Sequence, residues 1–349
     1  MQPLLCNFNS ILLMEVFHYP HSFELENGQS LPEIMVAYHT YGTLNADKSN
    51  VVWVCHHLTA SSAVIKWWPG VVGTGFVLDP ERYFIVCANI LGSCYGTTGP
   101  HSLDPATGEP YYSLFPQVTI RDMVKAHILL RKHLDIDAIH LLVGGSMGGY
   151  QALEWAYMET EVIKKLFLLA TSATESAWGI ATHTAQRLAI EADHTWLEPS
   201  PVAGSRGLKA ARAIGMLTYR NYGIMVKNQT DTDSEKLDDY KASSYINYQG
   251  DKLVKRFSAY CYWLLTKAMD SHHIARDRGG DIDRVLQLMP QPALIIGVSS
   301  DILCPLEEQR HLALQMPAAT LIEIDSGYGH DGFMVESEKI ARYLSSWLN

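Results

Sequence analysis

Short runs of consecutive apolar residues recur along the chain, and they predict the strands of a β-sheet. Such continuous runs are typical of parallel strands that are buried on both faces, because neither face then needs polar side chains. Between two of these runs, residues 120–134 have apolar side chains at helical spacing and predict a crossover helix. The alternation predicts a mostly parallel sheet with helices on both faces. The predicted strands are residues 51–55, 83–87, 139–143, 165–170, 293–298 and 319–324.

The N-terminal part of the chain has a different pattern. In residues 15–50 polar and apolar positions alternate, which is typical of antiparallel strands with one face toward solvent. The pair Asn27-Gly28 predicts a tight turn between two such strands. Residues 1–14 are predicted to be an extension outside the fold.

Between residues 173 and 289 the chain has helical patterns separated by polar linkers and no convincing buried strand. Because the strand pattern resumes at residue 293, we interpret this segment as a helical lid rather than as a separate domain with its own function. The core is then formed by residues 15–172 and 290–349. Ligands of open α/β sheets bind beyond the carboxyl ends of the strands, where such an insertion would lie. The predicted lid helices are residues 183–192, 207–219 and 253–269.

Composition and charge narrow the class of protein. The 349 residues have a formal net charge of -10, which argues against a general nucleic-acid-binding protein, because phosphate binding needs concentrated Lys and Arg. The six cysteines are scattered without metal-ligand spacing, so we expect free thiols and a cytoplasmic protein. We expect no signal peptide and no membrane span, since a basic n-region, a cleavage site and a long apolar run are missing.

The pattern Gly144-x-Ser146-x-Gly148 directly follows the third predicted strand and precedes a helical pattern. This order matches the nucleophile elbow, a sharp strand-to-helix turn that exposes a serine hydroxyl at the edge of a sheet. The turn strains the serine backbone, and the glycines let strand and helix pass closely because they lack a Cβ. The bare motif also occurs in ordinary flexible turns, but its strand and helix context favours a nucleophile.

A serine nucleophile needs a base and an acid that orients the base. In this architecture the acid and then the base follow the serine along the chain. Asp301 follows the fifth predicted strand and His330 follows the sixth, so we predict a catalytic triad of Ser146, Asp301 and His330. His56 and His57 form a pair, but no further ligand at suitable spacing supports zinc, and we predict no metal.

Negative charge develops on the carbonyl oxygen when the serine attacks, and backbone amides usually stabilise it in an oxyanion hole. The amide of Met147, next to the nucleophile, is the first predicted donor. We assign the second donor to the region of Leu58 and Thr59, after the first predicted strand, without choosing between the two amides. This set of features predicts acyl transfer, with water or another nucleophile as the acceptor.

Several other stretches carry a specific combination of motifs. They include Cys-His-His-Leu-Thr at residues 55–59, Asn-Ile-Leu-Gly-Ser-Cys-Tyr-Gly-Thr-Thr-Gly-Pro at 89–100 and Tyr-Gly-His-Asp-Gly-Phe at 328–333. The set resembles the homoserine O-acyltransferases of the α/β-hydrolase superfamily over nearly the whole chain from about Val16. Several of the motifs have no general role in hydrolases, so together they favour a transferase. Further matching stretches are residues 115–124, 144–156, 207–212, 217–219, 248–252 and 300–301.

The resemblance implies the α/β-hydrolase fold and a specific reaction. An acetyl group would pass from acetyl-CoA to the hydroxyl of L-homoserine through an acyl-serine, in a ping-pong mechanism that serves methionine biosynthesis. The family also implies a homodimer joined through the lid helices, with acetyl-CoA as a co-substrate and no bound cofactor.

The resemblance also implies roles for four residues around the nucleophile. By position, Arg212 matches the arginine expected to bind the amino-acid carboxylate, and Asp331 matches the acid expected to hold the ammonium group. Thr59 and Tyr219 match further pocket residues. On the residues alone, Arg212 could instead be a solvated lid arginine, and Asp331 could cap the last helix.

The sequence departs from the family pattern around the acyl pocket. Residues 60–63 are Ala-Ser-Ser-Ala where a glycine and soon a histidine are usual, Tyr150 stands where methionine is common, and Cys304 stands where an aromatic residue is common. The donor and the acceptor are therefore open, and succinyl-CoA or serine are alternatives within the family. A serine ester hydrolase, or a degenerate hydrolase fold used as a binding module, are the alternatives outside it.

Overall fold

The computed structural model describes residues 13–349, and the predicted extension at residues 1–14 lies almost entirely outside them. Ten strands are present in this part of the chain. They are β1 (Glu15–Tyr19), β2 (Phe23–Glu24), β3 (Ser30–Leu31), β4 (Ile34–Tyr41), β5 (Val51–Cys55), β6 (Phe84–Ala88), β7 (Leu141–Gly145), β8 (Leu166–Leu169), β9 (Ala293–Val298) and β10 (Ala319–Ile324).

Twelve α-helices accompany these strands in residues 13–349. They are α1 (Val64–Trp67), α2 (Ile120–His133), α3 (Met147–Met158), α4 (Ala177–Glu191), α5 (Ser205–Tyr219), α6 (Tyr222–Gln229), α7 (Lys241–Val254), α8 (Ala259–Asp270), α9 (Ile282–Gln287), α10 (Leu306–Gln315), α11 (Gly332–Val335) and α12 (Ser337–Leu348). Short 3₁₀ turns occupy Tyr112–Leu114 and Gly329–Asp331.

Eight strands form one sheet in the order β1-β4-β6-β5-β7-β8-β9-β10. β4 pairs antiparallel with β1 and β6, and all pairs from β6 to β10 are parallel. Side chains of β5 alternate between two hydrophobic clusters, with Trp53 in one and Val54 in the other, so both faces of the sheet are buried. The predicted fold class, an α/β-hydrolase fold with a mostly parallel sheet, is confirmed.

The predicted strands agree with the observed ones to within two residues. The largest difference is at β7, which was predicted from residue 139 but begins at Leu141. Ile139 forms only an isolated bridge to Ile163, and regular pairing with β5 starts at Leu141. In the N-terminal part, β2 and β3 form the predicted hairpin around Asn27 and Gly28.

Helices α4 to α9 lie between β8 and β9, in the segment predicted as a lid. The prediction of one helix over residues 253–269 is wrong: α7 ends at Val254, and α8 starts at Ala259 after the extended residue Ser258. Helices α6 and α9 and most of α7 were not predicted. No residue of α6 is buried, and in α7 only Gly250 and Leu253 are, so neither helix buries an extended apolar face.

Among residues 13–349, no helix is both long enough and apolar enough to cross a membrane. The same residues contain no group of three or more His, Cys, Asp or Glu side chains arranged to hold a metal ion.

The start of α3 packs tightly against the end of β5. A Cβ added to Gly148 would lie 2.1 Å from the carbonyl oxygen of Cys55, and one added to Gly144 would lie 2.1 Å from the carbonyl oxygen of Gly148. Neither contact can be relieved by a side-chain rotation, because both atoms belong to the backbone. The glycines of the motif therefore allow helix and strand to approach, as the sequence predicted.

We expect Gly148→Ala to lower the free energy of unfolding by about 3 kcal/mol or more, because overpacking against rigid backbone forces the helix to shift. Urea unfolding of purified protein measures this change. Gly327→Ala is the matched control, since its Cβ would lie 3.7 Å from Ile224, an ordinary contact. Equal stability of Gly148→Ala and the unmodified protein would contradict the packing described here.

Candidate active site

Ser146 lies in the turn between β7 and α3, at the carboxyl end of a central strand. Its backbone has φ 54° and ψ -128°, a conformation that a residue with a side chain rarely adopts. The amide of Ser146 donates to the carbonyl oxygen of Leu169 at 2.9 Å, and its own carbonyl oxygen accepts from Thr171 Oγ1 at 2.9 Å. These two bonds from β8 and the residues after it hold the strained turn in place.

The structure brings the three predicted triad residues together in one chain of hydrogen bonds. Ser146 Oγ lies 2.8 Å from Nε2 of His330, and Nδ1 of the same imidazole lies 2.7 Å from Oδ2 of Asp301. All three side chains are buried. Asp301 follows β9 and His330 follows β10, so parallel strands deliver both groups to the same edge of the sheet as Ser146.

Backbone amides fix the orientation of the Asp301 carboxylate. Its second oxygen, Oδ1, accepts from the amide of Leu303 at 2.8 Å and from the amide of Cys304 at 3.0 Å. Both carboxylate oxygens therefore have partners, and the carboxylate is held in line with the His330 imidazole.

Burial by itself lowers the pKa of the His330 imidazole, because it disfavours the charged form. The Asp301 carboxylate outweighs burial through its charge and its hydrogen bond, with a smaller contribution from Asp331. The net pKa of His330 is raised above its ordinary value of 6.5. The imidazole is thus a stronger base than a free histidine, as the removal of a serine proton requires.

The predicted oxyanion donors lie around the same turn. Met147 begins α3, and the close contact of Gly148 with Cys55 brings the loop after β5 beside it. Within residues 13–349, the amides of Met147, Leu58 and Thr59 donate no hydrogen bond to a protein acceptor. The assignment of the oxyanion hole to these amides stays a prediction.

Arg212 and Tyr219 of helix α5 lie above the Ser146–His330 pair. The guanidinium of Arg212 lies 5.1 Å from the centre of the Tyr219 ring, which in turn lies 6.0 Å from the His330 imidazole. Arg212 is half-buried, and no carboxylate in residues 13–349 forms an ion pair with it. A half-buried cation that faces the site without an acidic partner does not fit a solvated lid arginine.

Asp331 lies next to His330 and pairs with a residue that the sequence did not single out. Nε of Arg220, at the end of α5, lies 3.1 Å from Oδ2 of Asp331. Burial raises the pKa of the Asp331 carboxyl, although the charges of Arg220, His330 and Arg212 act in the opposite direction. Asp331 precedes α11, not the last helix, and makes no capping hydrogen bond, so the capping alternative is not supported.

Two of the departures from the family pattern have clear structural surroundings. Tyr150 is buried, stacks on His272 with ring centres 4.1 Å apart, and its hydroxyl lies 3.1 Å from the carboxylate of Glu175. Ser62, within the Ala-Ser-Ser-Ala stretch, is hydrogen-bonded to His39 and Asn89.

Both ring nitrogens of His56 have partners within the protein. His56 Nδ1 lies 2.9 Å from the carbonyl oxygen of His57, and its Nε2 accepts from the amide of Ile90 at 3.3 Å. Burial lowers the pKa of His56 to about 4, so the ring is neutral and braces the loop after β5.

Comparison with known proteins agrees with this architecture. Residues 50–337 match the family model described as "alpha/beta hydrolase fold". A homoserine O-acetyltransferase of Cyclobacterium marinum is 46% identical over 96% of this chain and 95% of its own length. The solved structure of a homoserine O-acetyltransferase from Bacillus anthracis has a TM-score of 0.88 at 24% identity, with 97% of each chain covered. The solved structure of esterase E22 has a TM-score of 0.86 at 22% identity, and the match covers 97% of this chain and 100% of the esterase chain.

The fold and the serine–histidine–aspartate arrangement define an α/β-hydrolase-fold protein with the geometry of a serine-dependent acyl-transfer enzyme. At 45% identity, a relative from Chlorobium chlorochromatii covers 94% of this chain and is also named homoserine O-acetyltransferase. The chain belongs to the homoserine O-acetyltransferase family.

We expect Asp301→Asn to lower the pKa of His330, because the variant removes the anion that stabilises the imidazolium. NMR titration of the imidazole measures this pKa directly, and in the unmodified protein it should exceed 6.5. Since His330 acts as a base only when neutral, the acidic limb of the activity profile should move to lower pH in the variant. The rate itself should fall by about 10⁴-fold, because the asparagine favours the wrong tautomer. An unchanged His330 pKa in Asp301→Asn would contradict the assigned coupling.

Proposed function

We propose that this protein transfers an acetyl group from acetyl-CoA to the side-chain hydroxyl of L-homoserine, in the cytoplasmic synthesis of methionine. The observation that carries the proposal is that Arg212, which forms no ion pair within residues 13–349, lies near Asp331 and the Ser146–His330 pair, in a chain 46% identical to a homoserine O-acetyltransferase. A hydrolase needs only the serine, its base and the oxyanion donors. A cation and an anion next to the nucleophile are what a zwitterionic amino acid requires.

In the first half of the reaction, His330 takes the proton of Ser146 Oγ, and the oxygen attacks the thioester carbonyl of acetyl-CoA. The C–S bond breaks, the thiol of CoA leaves with a proton from His330, and an acetyl-serine remains. The amide of Met147, with one from the Leu58–Thr59 loop, stabilises the negative oxygen of the intermediate. Asp301 holds the imidazole in the correct tautomer and stabilises its cation.

In the second half, His330 takes the proton of the homoserine hydroxyl, whose oxygen attacks the carbonyl carbon of the acetyl-serine and forms the O-acetyl ester. The bond between this carbon and Ser146 Oγ breaks, and the serine oxygen takes the proton back from His330. The carboxylate of the amino acid binds Arg212, whose planar guanidinium can donate two parallel hydrogen bonds. The ammonium group binds Asp331, and Thr59 and Tyr219 line the pocket. Arg220 already pairs with Asp331, and its charge lowers the pKa of this carboxyl, which partly offsets the opposite effect of burial.

Exclusion of water separates this function from that of an esterase. Water competes with homoserine for the acetyl-serine. Helix α5 of the inserted segment packs against the 3₁₀ turn Gly329–Asp331, which carries His330. We therefore infer that residues 173–289 act as a lid. An ester hydrolase is the second candidate, because solved structures with the same fold are named esterases.

We also infer a homodimer joined through the lid. Leu217 on α5 and Tyr248 on α7 are exposed by 63% and 60%, and the two helices pack side by side. A second copy of the chain would cover these apolar groups.

A donor and acceptor panel tests the proposed reaction. We expect rapid product formation from acetyl-CoA and L-homoserine, identified by mass, and much slower reaction with succinyl-CoA or with L-serine. Ser146→Ala should reduce turnover by about a million-fold, by analogy with loss of the nucleophile in subtilisin.

The same panel separates the alternatives. Release of CoA at equal rates with and without homoserine would identify a hydrolase, and preference for succinyl-CoA or serine would change the donor or the acceptor. If Ser146 also failed to react with a serine-directed phosphonate, the protein would be a binding module rather than an enzyme.

We expect Arg212→Lys to raise KM for homoserine by about 10- to 100-fold, because an ammonium group cannot replace both hydrogen bonds to the carboxylate. The rate at which acetyl-CoA acetylates Ser146 should stay nearly unchanged, since Arg212 is proposed to contact only the acceptor. Steady-state and single-turnover kinetics measure the two quantities. Arg206→Lys, an exposed arginine of the same helix, is the control and should behave like the unmodified protein. An unchanged KM in Arg212→Lys would remove the proposed carboxylate site.

A further inference from the structure

One arginine of the lid reaches across to the loop after β5. Arg256 lies in the short linker between α7 and α8, and its side chain has no assigned role in the reaction described above. Its Nη1 donates to the carbonyl oxygen of Thr59 at 2.5 Å, and its Nη2 donates to Thr59 Oγ1 at 3.3 Å. The two nitrogens of one guanidinium thus hold both the backbone and the side chain of a single residue, 197 positions away in the sequence.

The third contact of the same guanidinium is with Tyr95, whose hydroxyl lies 2.7 Å from Nη1. All three acceptors are neutral oxygens, and no carboxylate in residues 13–349 forms an ion pair with Arg256. Hydrogen bonds from a charged donor are stronger than those between neutral groups. The full positive charge is therefore directed at the Thr59 loop and is not neutralised by an acid.

The positive charge of Arg256 affects the pKa of His57, which lies in the same loop. Burial is the main reason that the pKa of His57 falls to about 3, and the charge of Arg256 adds to the effect. His57 immediately precedes Leu58, so the guanidinium lies close to the segment in which the second oxyanion donor is proposed.

Other contacts hold the start of the loop but not Thr59. The His56 ring accepts from the amide of Ile90 at 3.3 Å, and the carbonyl oxygen of His56 accepts from Gln151 Nε2 at 3.2 Å. Within residues 13–349, Arg256 is the only residue that forms a hydrogen bond with Thr59. The two hydrogen bonds from Arg256 fix the carbonyl and the hydroxyl of Thr59, and so restrict the backbone and side-chain conformation of the residue that carries one of the two candidate oxyanion amides.

We propose that Arg256 is a positioning residue, which holds the Thr59 loop so that the amide of Leu58 or Thr59 points at the oxyanion. Because Arg256 belongs to the lid, this arrangement of the loop depends on the lid. This inference rests on the proposed function only in that Leu58 or Thr59 supplies an oxyanion donor. It does not depend on which donor or acceptor the enzyme uses.

The test compares Arg256→Gln with the unmodified protein in the acylation step alone. Three donors are used: p-nitrophenyl acetate, acetyl-CoA and the truncated thioester S-acetyl-N-acetylcysteamine. The rate is expressed per reactive Ser146, whose concentration is measured by titration with a serine-directed phosphonate. We expect acylation to fall by about 10- to 100-fold with all three donors, since a misplaced oxyanion donor loses much of its effect.

Two further variants separate positioning from a loss of folding. Arg256→Lys should recover only part of the rate, because a lysine cannot reach the Thr59 carbonyl and hydroxyl together. Millimolar guanidinium ion should raise the rate of Arg256→Ala, while methylammonium should not. This rescue remains measurable even where Arg256→Gln is poorly folded, and a purely structural role would not respond to it.

Tyr95→Phe is the matched control. The variant removes the hydrogen bond between the Arg256 guanidinium and the Tyr95 hydroxyl, and this hydrogen bond is exposed to solvent. It leaves both hydrogen bonds from Arg256 to Thr59 in place. We expect its acylation rate to stay within about threefold of the unmodified protein, because an exposed hydrogen bond is readily replaced by water.

Three results would overturn the proposal. One is an unchanged acylation rate per titrated serine in Arg256→Gln. Another is a loss confined to acetyl-CoA with the truncated thioester unaffected, because Arg256 would then bind the phosphates of the donor. The third is the absence of guanidinium rescue. Failure of homoserine as the acceptor would contradict the proposed function but would leave the acylation test with p-nitrophenyl acetate intact.

Discussion

The approach of helix α3 to the end of strand β5 is the contact on which the site depends. Gly148 lies against the Cys55 carbonyl at a distance that no side chain could tolerate. This contact brings the Met147 amide beside the loop after β5, and Ser146, in the turn just before it, has a positive φ of 54°. Such strain persists only where the surroundings over-determine the backbone. Here the hydrogen bonds to Leu169 and from Thr171 hold both sides of the Ser146 residue.

Much of this arrangement could be predicted from the sequence because it follows from strands. A parallel strand buried on both faces leaves a run of apolar residues that is visible without any tertiary information. Ser146, Asp301 and His330 each follow such a run, and parallel strands end at one edge of the sheet. The apolar runs and the rule that parallel strands end at one edge together predict that these three distant residues lie close to one another. In the structure they are in hydrogen-bond contact.

The contacts made by the lid could not be predicted in the same way. Its helix boundaries have no strand pattern to anchor them, and the periodicity of residues 253–269 concealed the break before Ala259. The pairing of Arg220 with Asp331 and the contact of Arg256 with Thr59 join lid and core residues more than a hundred positions apart. In the sequence, each of these arginines is only a charged residue at or near a helix end.

Charge around the nucleophile, rather than the fold, separates the candidate reactions. Esterases and homoserine O-acetyltransferases have solved structures with nearly equal likeness to this chain, so the fold alone does not separate them. A half-buried guanidinium without an anionic partner is costly in a protein. Arg212 forms no ion pair within residues 13–349, and with water as the acceptor it would gain none during the reaction. With the proposed amino acid as the acceptor, the substrate carboxylate would supply an anion for Arg212, and the ammonium group would pair with Asp331. The charges around the nucleophile therefore support the proposal of a zwitterionic acceptor.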